Sequence, residues 1–204
     1  MEELTPYNLT TISIEDLELR LGLQLNPVEL NRLRSAYEFA GHTHEGKKRN
    51  DGSPYFFHCA RVCRILLDEL GIADPDTLAG ALLHDVMEDD PRITREILSY
   101  NFGEYVGYIV EALTKDLTLH KSNPAAADAA QIETLKRSSE DCLVVRLAAR
   151  LDNFRCLENS LKRNPILYIE NTLERYAPLA AQSDNPHLRY LVKMLNQEKN
   201  KFLG

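Results

Sequence analysis

The feature that most constrains this chain is a punctuation mark that recurs along it. An asparagine or aspartate stands directly before a proline, and apolar residues at helical spacing follow, at Asn26-Pro27, Asp74-Pro75, Asn164-Pro165 and Asn185-Pro186. The short polar side chain accepts hydrogen bonds from the free N–H groups of a helix's first turn. Proline at the first helical position gives up an N–H that would have no partner there. After Asn26-Pro27, Leu30, Leu33, Tyr37 and Ala40 form one apolar stripe that ends near Gly41. Ser13 predicts a shorter helix ending near Gly22. A helix restarts around Phe57, with Val62, Ile65, Leu66 and Leu70 inward and Gly71 as its stop. Asp74-Pro75 opens the helix that carries His84, and further helices are expected at 94–101, 104–113, 124–136, 141–160, 165–181 and 186–202. "HEGKKRNDGSPYF" reads as a basic loop, and "HKSNPAAADAA" as a loop entering a helix. No alternating strand pattern and no repeat period appears. The expected architecture is all-α, a single helical-bundle domain over 1–204.

Charge and cysteine usage exclude several classes. A net charge of −7 over 204 residues argues against a general nucleic-acid or anionic-membrane binder, both of which need a positive field. No apolar stretch reaches membrane-spanning length, and the acidic, polar start "MEELTPYNLT" does not read as a signal peptide. Cys59, Cys63, Cys142 and Cys156 form no C-x-x-C pair, so free buried thiols in a reducing compartment are expected, and with them a cytoplasmic location.

The stretch "LAGALLHDVMEDDP" then raises a chemical question, because an apolar run leads straight into His84, Asp85, Glu88, Asp89 and Asp90. By itself a histidine at a helix end caps a carbonyl, and acids before a proline make a solvated turn. Other parts of the chain shift that reading. His58 follows the basic loop and begins a helix. Asp152 and Asn153 interrupt the apolar run "CLVVRLAARLDNF", where burying them unpartnered would be costly. Imidazole and carboxylate converging from separate helices are what a divalent metal site in a bundle needs, and neutral imidazole with ionised carboxylate suits manganese, iron or magnesium.

Four blocks carry a resemblance: "HEGKKRNDGSPYFFH" at 44–58, "ALLHDVMED" at 81–89, "VEALTK" at 110–115 and "VRLAARLDNFR" at 145–155. In this order and at these distances the chain, over about 36–158, resembles the HD-domain hydrolases of the RelA/SpoT homologue family, in particular the small stand-alone alarmone hydrolases. Residues 1–25 then read as an N-terminal extension and 160–204 as C-terminal helices. The resemblance implies a manganese-dependent hydrolase, with another divalent metal as the variant. It would remove the 3′-pyrophosphate from guanosine tetra- and pentaphosphate, (p)ppGpp. Residue by residue, it implies His58, His84 and Asp85 as metal ligands. Glu88 and Asp89 become the acidic pair beside the attacking water, and Arg49 (with Lys48 beside it) and Asn153 contact the substrate.

Two departures stand out. The basic loop reads Arg49-Asn50 where the family has Arg-Lys. The late block reads Ala148-Ala149-Arg150-Leu151-Asp152-Asn153 where the family pattern is close to A-D-x-L-H-N. Ala149 therefore occupies the ligand position, and Asp152 is the remaining candidate for a fourth metal ligand. Three residues are a rise of ~4.5 Å and a swing of about 60° on a helix. Metal–ligand distances tolerate only ~0.2 Å, so Asp152 needs a helix shift or a bridging water to serve. Three functions follow in order: the (p)ppGpp hydrolase, a phosphohydrolase for another nucleotide, and a degenerate nucleotide-binding domain without turnover. The partner is a small-molecule nucleotide, with no nucleic acid and no membrane. The amphipathic tail at Leu188, Leu191, Val192 and Leu195 would cover either the core or a second copy in a homo-oligomer. His44 reads as a packing or capping residue, His42 as exposed, His120 and His187 as lacking partners, and Tyr7, Tyr100, Tyr105 and Tyr108 as packing residues.

Overall fold

Each proline-led helix start forms as its residues dictate. The Asn26 side chain accepts from the N–H groups of Val28 and Glu29 while Glu29 reaches back to the Asn26 N–H. Asp74 accepts from Thr77, Asn164 from Leu167 and Asn185 from His187. The computed structural model describes residues 5–159 and 164–203. Within them the helices are α1 Ile14–Leu21, α2 Pro27–Thr43, α3 Phe56–Asp68, α4 Pro75–Leu83, α5 Val86–Asp89, α6 Arg95–Phe102, α7 Glu104–Leu113, α8 Leu117–Ser122, α9 Pro124–Arg137, α10 Glu140–Arg155, α11 Pro165–Ala180 and α12 Pro186–Leu203. Short 3₁₀ turns occupy Tyr7–Leu9 and Leu157–Asn159. The one β-type feature among the described residues is an isolated bridge between Lys48 and Pro54 inside the basic loop.

Three boundaries differ from the sequence reading. The stretch expected as a loop from His120 begins inside α8, which Asp116 caps through the Leu119 N–H. This helix is six residues long with no buried residue, so no apolar stripe could announce it. The helix opened at Asp74-Pro75 stops at Leu83. His84 is its C-cap and Asp85 stands before α5, so the His-Asp pair sits at a break between two helices. The helix expected over 141–160 ends at Arg155 and continues as the 3₁₀ turn, and Ser160 lies outside the described residues.

The core is organised by α4 and α10. Every residue from Thr77 to Leu83 is buried, and α4 packs against α2, α3 and α7. Gly80 allows the approach to α7: a Cβ there would come within 2.7 Å of Ile109 Cγ2. Helix α10 packs against α3, α4, α7, α11 and α12, and buries Cys142 through Ala149 together with Leu151, Asp152 and Phe154. Leu188, Leu191 and Leu195 of α12 are buried in this same core, so the tail covers its own chain. The four cysteines are free and buried. No helix among the described residues is long and apolar enough to cross a membrane. Because the inner faces of α4 and α10 are interior, the polar residues that fall on them are carried inward, and so His84, Asp85 and Asp152 are buried.

Candidate functional site

His58 enters from the first turn of α3, and His84 and Asp85 from the α4–α5 break. One potential ligand atom from each lies within 4.8 Å of the others. Hydrogen bonds select the tautomers. His84 Nδ1 is 2.8 Å from the Ala81 carbonyl, which can only accept, so the proton sits on Nδ1 and Nε2 is left bare, 3.3 Å from Asp85 Oδ1. His58 Nδ1 is 2.6 Å from the Asp152 carboxylate, which turns its Nε2 towards Asp85 Oδ2 at 3.8 Å. Tyr55 donates its hydroxyl to Asp85 at 2.8 Å. Burial holds the His58 pKa down at about 4 and lowers that of His84, so both rings are neutral near pH 7. Burial alone would raise Asp85, and the Tyr55 hydrogen bond and the Arg146 charge act against it to hold the carboxyl below its usual range. Two bare imidazole nitrogens and one ionised oxygen on two rigid supports, α3 and the α4–α5 break, fit a divalent cation.

Asp152 stands elsewhere than expected of a fourth ligand. It is fully buried behind His58, on the ring face away from Asp85, and it is absent from the ligand-atom cluster. It accepts from Arg61 Nε at 2.6 Å and Nη2 at 3.2 Å, and from the Tyr7 hydroxyl at 3.1 Å, besides His58. The 60° offset on the helix is the physical reason: it turns residue 152 to the Nδ1 side of the ring, while Ala149 lies on the wall of the cavity in front. Burial would raise Asp152, but the bonds from His58 and Arg61 hold its carboxyl well below the usual range.

That cavity, about 470 Å³, opens in front of the cluster. Glu88 lines it, with Oε1 accepting from the Lys115 N–H at 2.9 Å. Burial, and then the charge of Asp85, raise the Glu88 pKa. Lys48, Arg49 and Asn153 line it too, and Arg49 donates to the Asn153 side-chain oxygen, so the basic loop is tied to α10. Gly52, at φ 84°, makes the turn that returns its N–H to the Arg49 carbonyl and Arg49 N–H to Ser53. Asp89 does not line the cavity. Its carboxylate meets His44 Nδ1 at 2.6 Å and Lys47 Nζ at 3.3 Å. His44 is thus the C-cap of α2 and also the partner of Asp89.

Several cavity residues have no site role in the sequence reading, and His120 is among those expected to lack partners. Arg146, Arg150, Lys115, Arg175, Tyr168, Tyr176 and His120 all line the cavity. The Arg150 guanidinium lies over the Tyr168 and Tyr176 rings, 5.2 and 5.0 Å from their centroids, and donates to the Tyr176 hydroxyl. Arg146 donates to the Leu113 carbonyl, and its buried Nε has no hydrogen-bond partner. Lys115 and Arg175 share Asp128. The available signal was two arginines in the otherwise apolar stretch that flanks Ala149. Tyr168 and Tyr176 carried none, since tyrosine at helical spacing also describes a core face.

Comparison with known proteins agrees with this geometry. The HD domain family (HD_4) matches residues 36–184. The chain is 38% identical over 163 residues to the GTP pyrophosphokinase rsh of Brucella melitensis, covering 77% of this chain and 21% of that protein. It is 35% identical over 179 residues to the guanosine-3′,5′-bis(diphosphate) 3′-pyrophosphohydrolase MESH1 of Mus musculus, covering 84% of this chain and 96% of that protein. The chain thus spans about a fifth of the first group of curated relatives and nearly all of the second protein. Among solved structures, a metazoan orthologue of SpoT that hydrolyses ppGpp superposes with a TM-score of 0.69 at 26% identity, covering 82% of this chain and 95% of that one.

Proposed function

This chain belongs to the HD-domain proteins of the RelA/SpoT homologue family, and from that premise we propose that it is a metal-dependent 3′-pyrophosphohydrolase of guanosine 3′,5′-bis(diphosphate) and the corresponding pentaphosphate. The observation that carries this reading is the convergence of His58, His84 and Asp85 beside a cavity that holds a raised-pKa carboxylate, Glu88, and several cations. Water adds to the phosphorus of the 3′-pyrophosphate, the bond from that phosphorus to the ribose 3′ oxygen breaks, and the products are the 5′-phosphorylated nucleoside and pyrophosphate. A divalent metal, manganese in this proposal, supplies Lewis-acid polarisation of a phosphoryl oxygen when it is bound to His58, His84 and Asp85. Glu88 takes one proton of the attacking water, and the departing ribose 3′ oxygen takes up a proton to leave as the 3′ hydroxyl. The raised pKa of Glu88 brings it closer to neutrality, and the Lys115 N–H fixes its orientation. Asp89 supports this step by fastening His44 and Lys47 at the root of the basic loop. Lys48, Arg49 and Asn153 face the substrate, and Lys115, Arg146, Arg150 and Arg175 neutralise phosphate charge.

A single catalytic domain over the chain and a cytoplasmic site of action belong to the same proposal; the free buried thiols support the latter. One observation favours a second reading: with Ala149 on the cavity wall, the cluster offers three ligands, which suits a nucleotide binder without turnover. The test is incubation of manganese-loaded protein with a panel of phosphorylated nucleotides. Release of one pyrophosphate per 3′-pyrophosphorylated guanine nucleotide is expected. Saturable binding with no release selects the binder.

A further inference from the structure

Tyr7 and Asn8 lie well before the family-matched residues 36–184, yet they reach the back of the metal-side cluster. Arg61, fully buried in α3, donates from Nη1 to the carbonyls of Asn8 at 2.8 Å and Thr10 at 3.1 Å, and from Nε and Nη2 to Asp152. The Tyr7 hydroxyl closes the circle on Asp152 Oδ1. Three segments distant in sequence are thereby joined: the N-terminal 3₁₀ turn, α3 and α10.

We propose that Tyr7, Arg61 and Asp152 are positioning residues that lock His58 in the Nδ1–H tautomer with Nε2 free for a metal, so that an N-terminal strap outside the family-matched region forms part of the metal site. This rests on the metal reading above. The carboxylate missing at Ala149 is not replaced by a ligand; a carboxylate one layer further out is used instead to prepare one of the ligands that remain. Arg61 decides the manner of that help. It neutralises Asp152, so Asp152 acts on His58 by fixing the proton and the ring orientation more than by donating charge. A metal-ligating histidine needs such a partner on its other nitrogen.

The geometry also says how the device fails. In Asp152→Asn a single oxygen faces donors on both sides. Placed at the Oδ2 position it would serve His58 and leave its NH2 against Arg61 Nε, which sits 2.6 Å from Oδ1. Placed at the Oδ1 position it keeps Arg61 Nε and Tyr7, and opposes its NH2 to the longer 3.2 Å Nη2 contact and to His58 Nδ1. The second orientation loses less of the charged bonding. It makes His58 Nδ1 an acceptor and moves the ring proton to Nε2, where it blocks ligation.

The test compares full-length wild type, Asp152→Asn and Tyr7→Phe by three readouts. These are the His58 tautomer from ¹⁵N-resolved imidazole NMR of the metal-free protein, the manganese dissociation constant by calorimetry, and the metal-free melting temperature. Wild type is expected to show Nδ1–H. Asp152→Asn is expected to show Nε2–H and to bind manganese roughly 10–100-fold more weakly. Tyr7→Phe, which removes only a hydroxyl, is expected to weaken manganese about fivefold, the net scale of a single hydrogen bond, with its melting temperature lowered by only about 2–4 °C. An Asp152→Asn protein that melts earlier but keeps the Nδ1–H tautomer and wild-type affinity shows a mere structural strut and overturns the inference. Wild-type affinity in Tyr7→Phe removes the N-terminal strap from it, and that variant decides alone if Asp152→Asn does not fold. Wild type that binds manganese but releases no pyrophosphate refutes the proposed activity and leaves this inference standing. Wild type that binds no manganese overturns both.

Discussion

Behind His58, donors from Tyr7, Arg61 and His58 itself converge on one fully buried carboxylate, and every one of them is within hydrogen-bond distance. Elsewhere on the cavity lining, Arg146 and Arg150 meet no carboxylate within ion-pair distance among the described residues, while Lys115 and Arg175 divide a single one, Asp128. The same α10 supplies both walls, Asp152 to the first and Arg146 and Arg150 to the second. The difference lies in what completes each set. Burying a charge is tolerable only when it is paired and hydrogen-bonded, so a closed network costs the fold nothing more on ligand binding. The other wall holds its buried Arg146 on the Leu113 carbonyl and Arg150 against tyrosine faces, and it leaves the last pairing to an anionic ligand. The closed wall is built to hold still and the open wall to be finished by substrate.

That contrast can be broken in several places. The largest effect is expected where the two walls meet. Glu88→Gln should lower turnover by roughly two to four orders of magnitude while leaving manganese affinity unchanged, because Glu88 is the proposed proton acceptor and is not among the clustered ligand atoms. Steady-state kinetics beside calorimetry checks it, and equal turnover in the variant would remove Glu88 from the chemistry. The closed wall should answer in stability: Asp152→Ala leaves Arg61 buried without its partner, and denaturant unfolding should show a loss of about 3–5 kcal/mol with or without nucleotide.

The open wall should answer the other way. Arg150→Met keeps the stacked volume between Tyr168 and Tyr176 and should change unfolding free energy little, yet raise KM roughly 10–100-fold, the scale of a charged hydrogen bond to phosphate. A variant that unfolds early with KM unchanged would make this arginine part of the scaffold and erase the distinction. Ala149→Asp sharpens the comparison by placing a carboxylate on the cavity wall. Without metal it should melt below wild type, since the new charge is desolvated. Manganese should raise its melting temperature by more than it raises that of wild type, as linkage requires. The smallest effect is expected at the exposed Arg92, which pairs with Asp90, where Arg92→Ala should match wild type in both its unfolding midpoint and its activity.

What was legible in the sequence was whatever short-range chemistry determines. Asn26, Asp74, Asn164 and Asn185 start their helices because a cap and a proline act within one turn. The stripes at Leu33 and Leu66 face inward because the helix period is a local property. His58, His84 and Asp85 could be named because their block spacing resembles a family, and Ala149 could be read as a fault for the same reason. The six-residue α8 and the break after Leu83 escaped because neither leaves a stripe long enough to detect. The partners of the side chains were decided only by the tertiary structure. Tyr7 reads as one more packing tyrosine until its hydroxyl meets Asp152, 145 residues away, and Asp152 reads as a displaced ligand until His58 and Arg61, 94 and 91 residues away, claim its oxygens. A hydrogen bond is specific to a direction and about 3 Å of reach, and no local pattern encodes which distant donor arrives there. The chain's own residues therefore determine the helices, the core face and the candidates, and the packing of α3, α10 and the N-terminal turn determines which nitrogen of His58 is free to act.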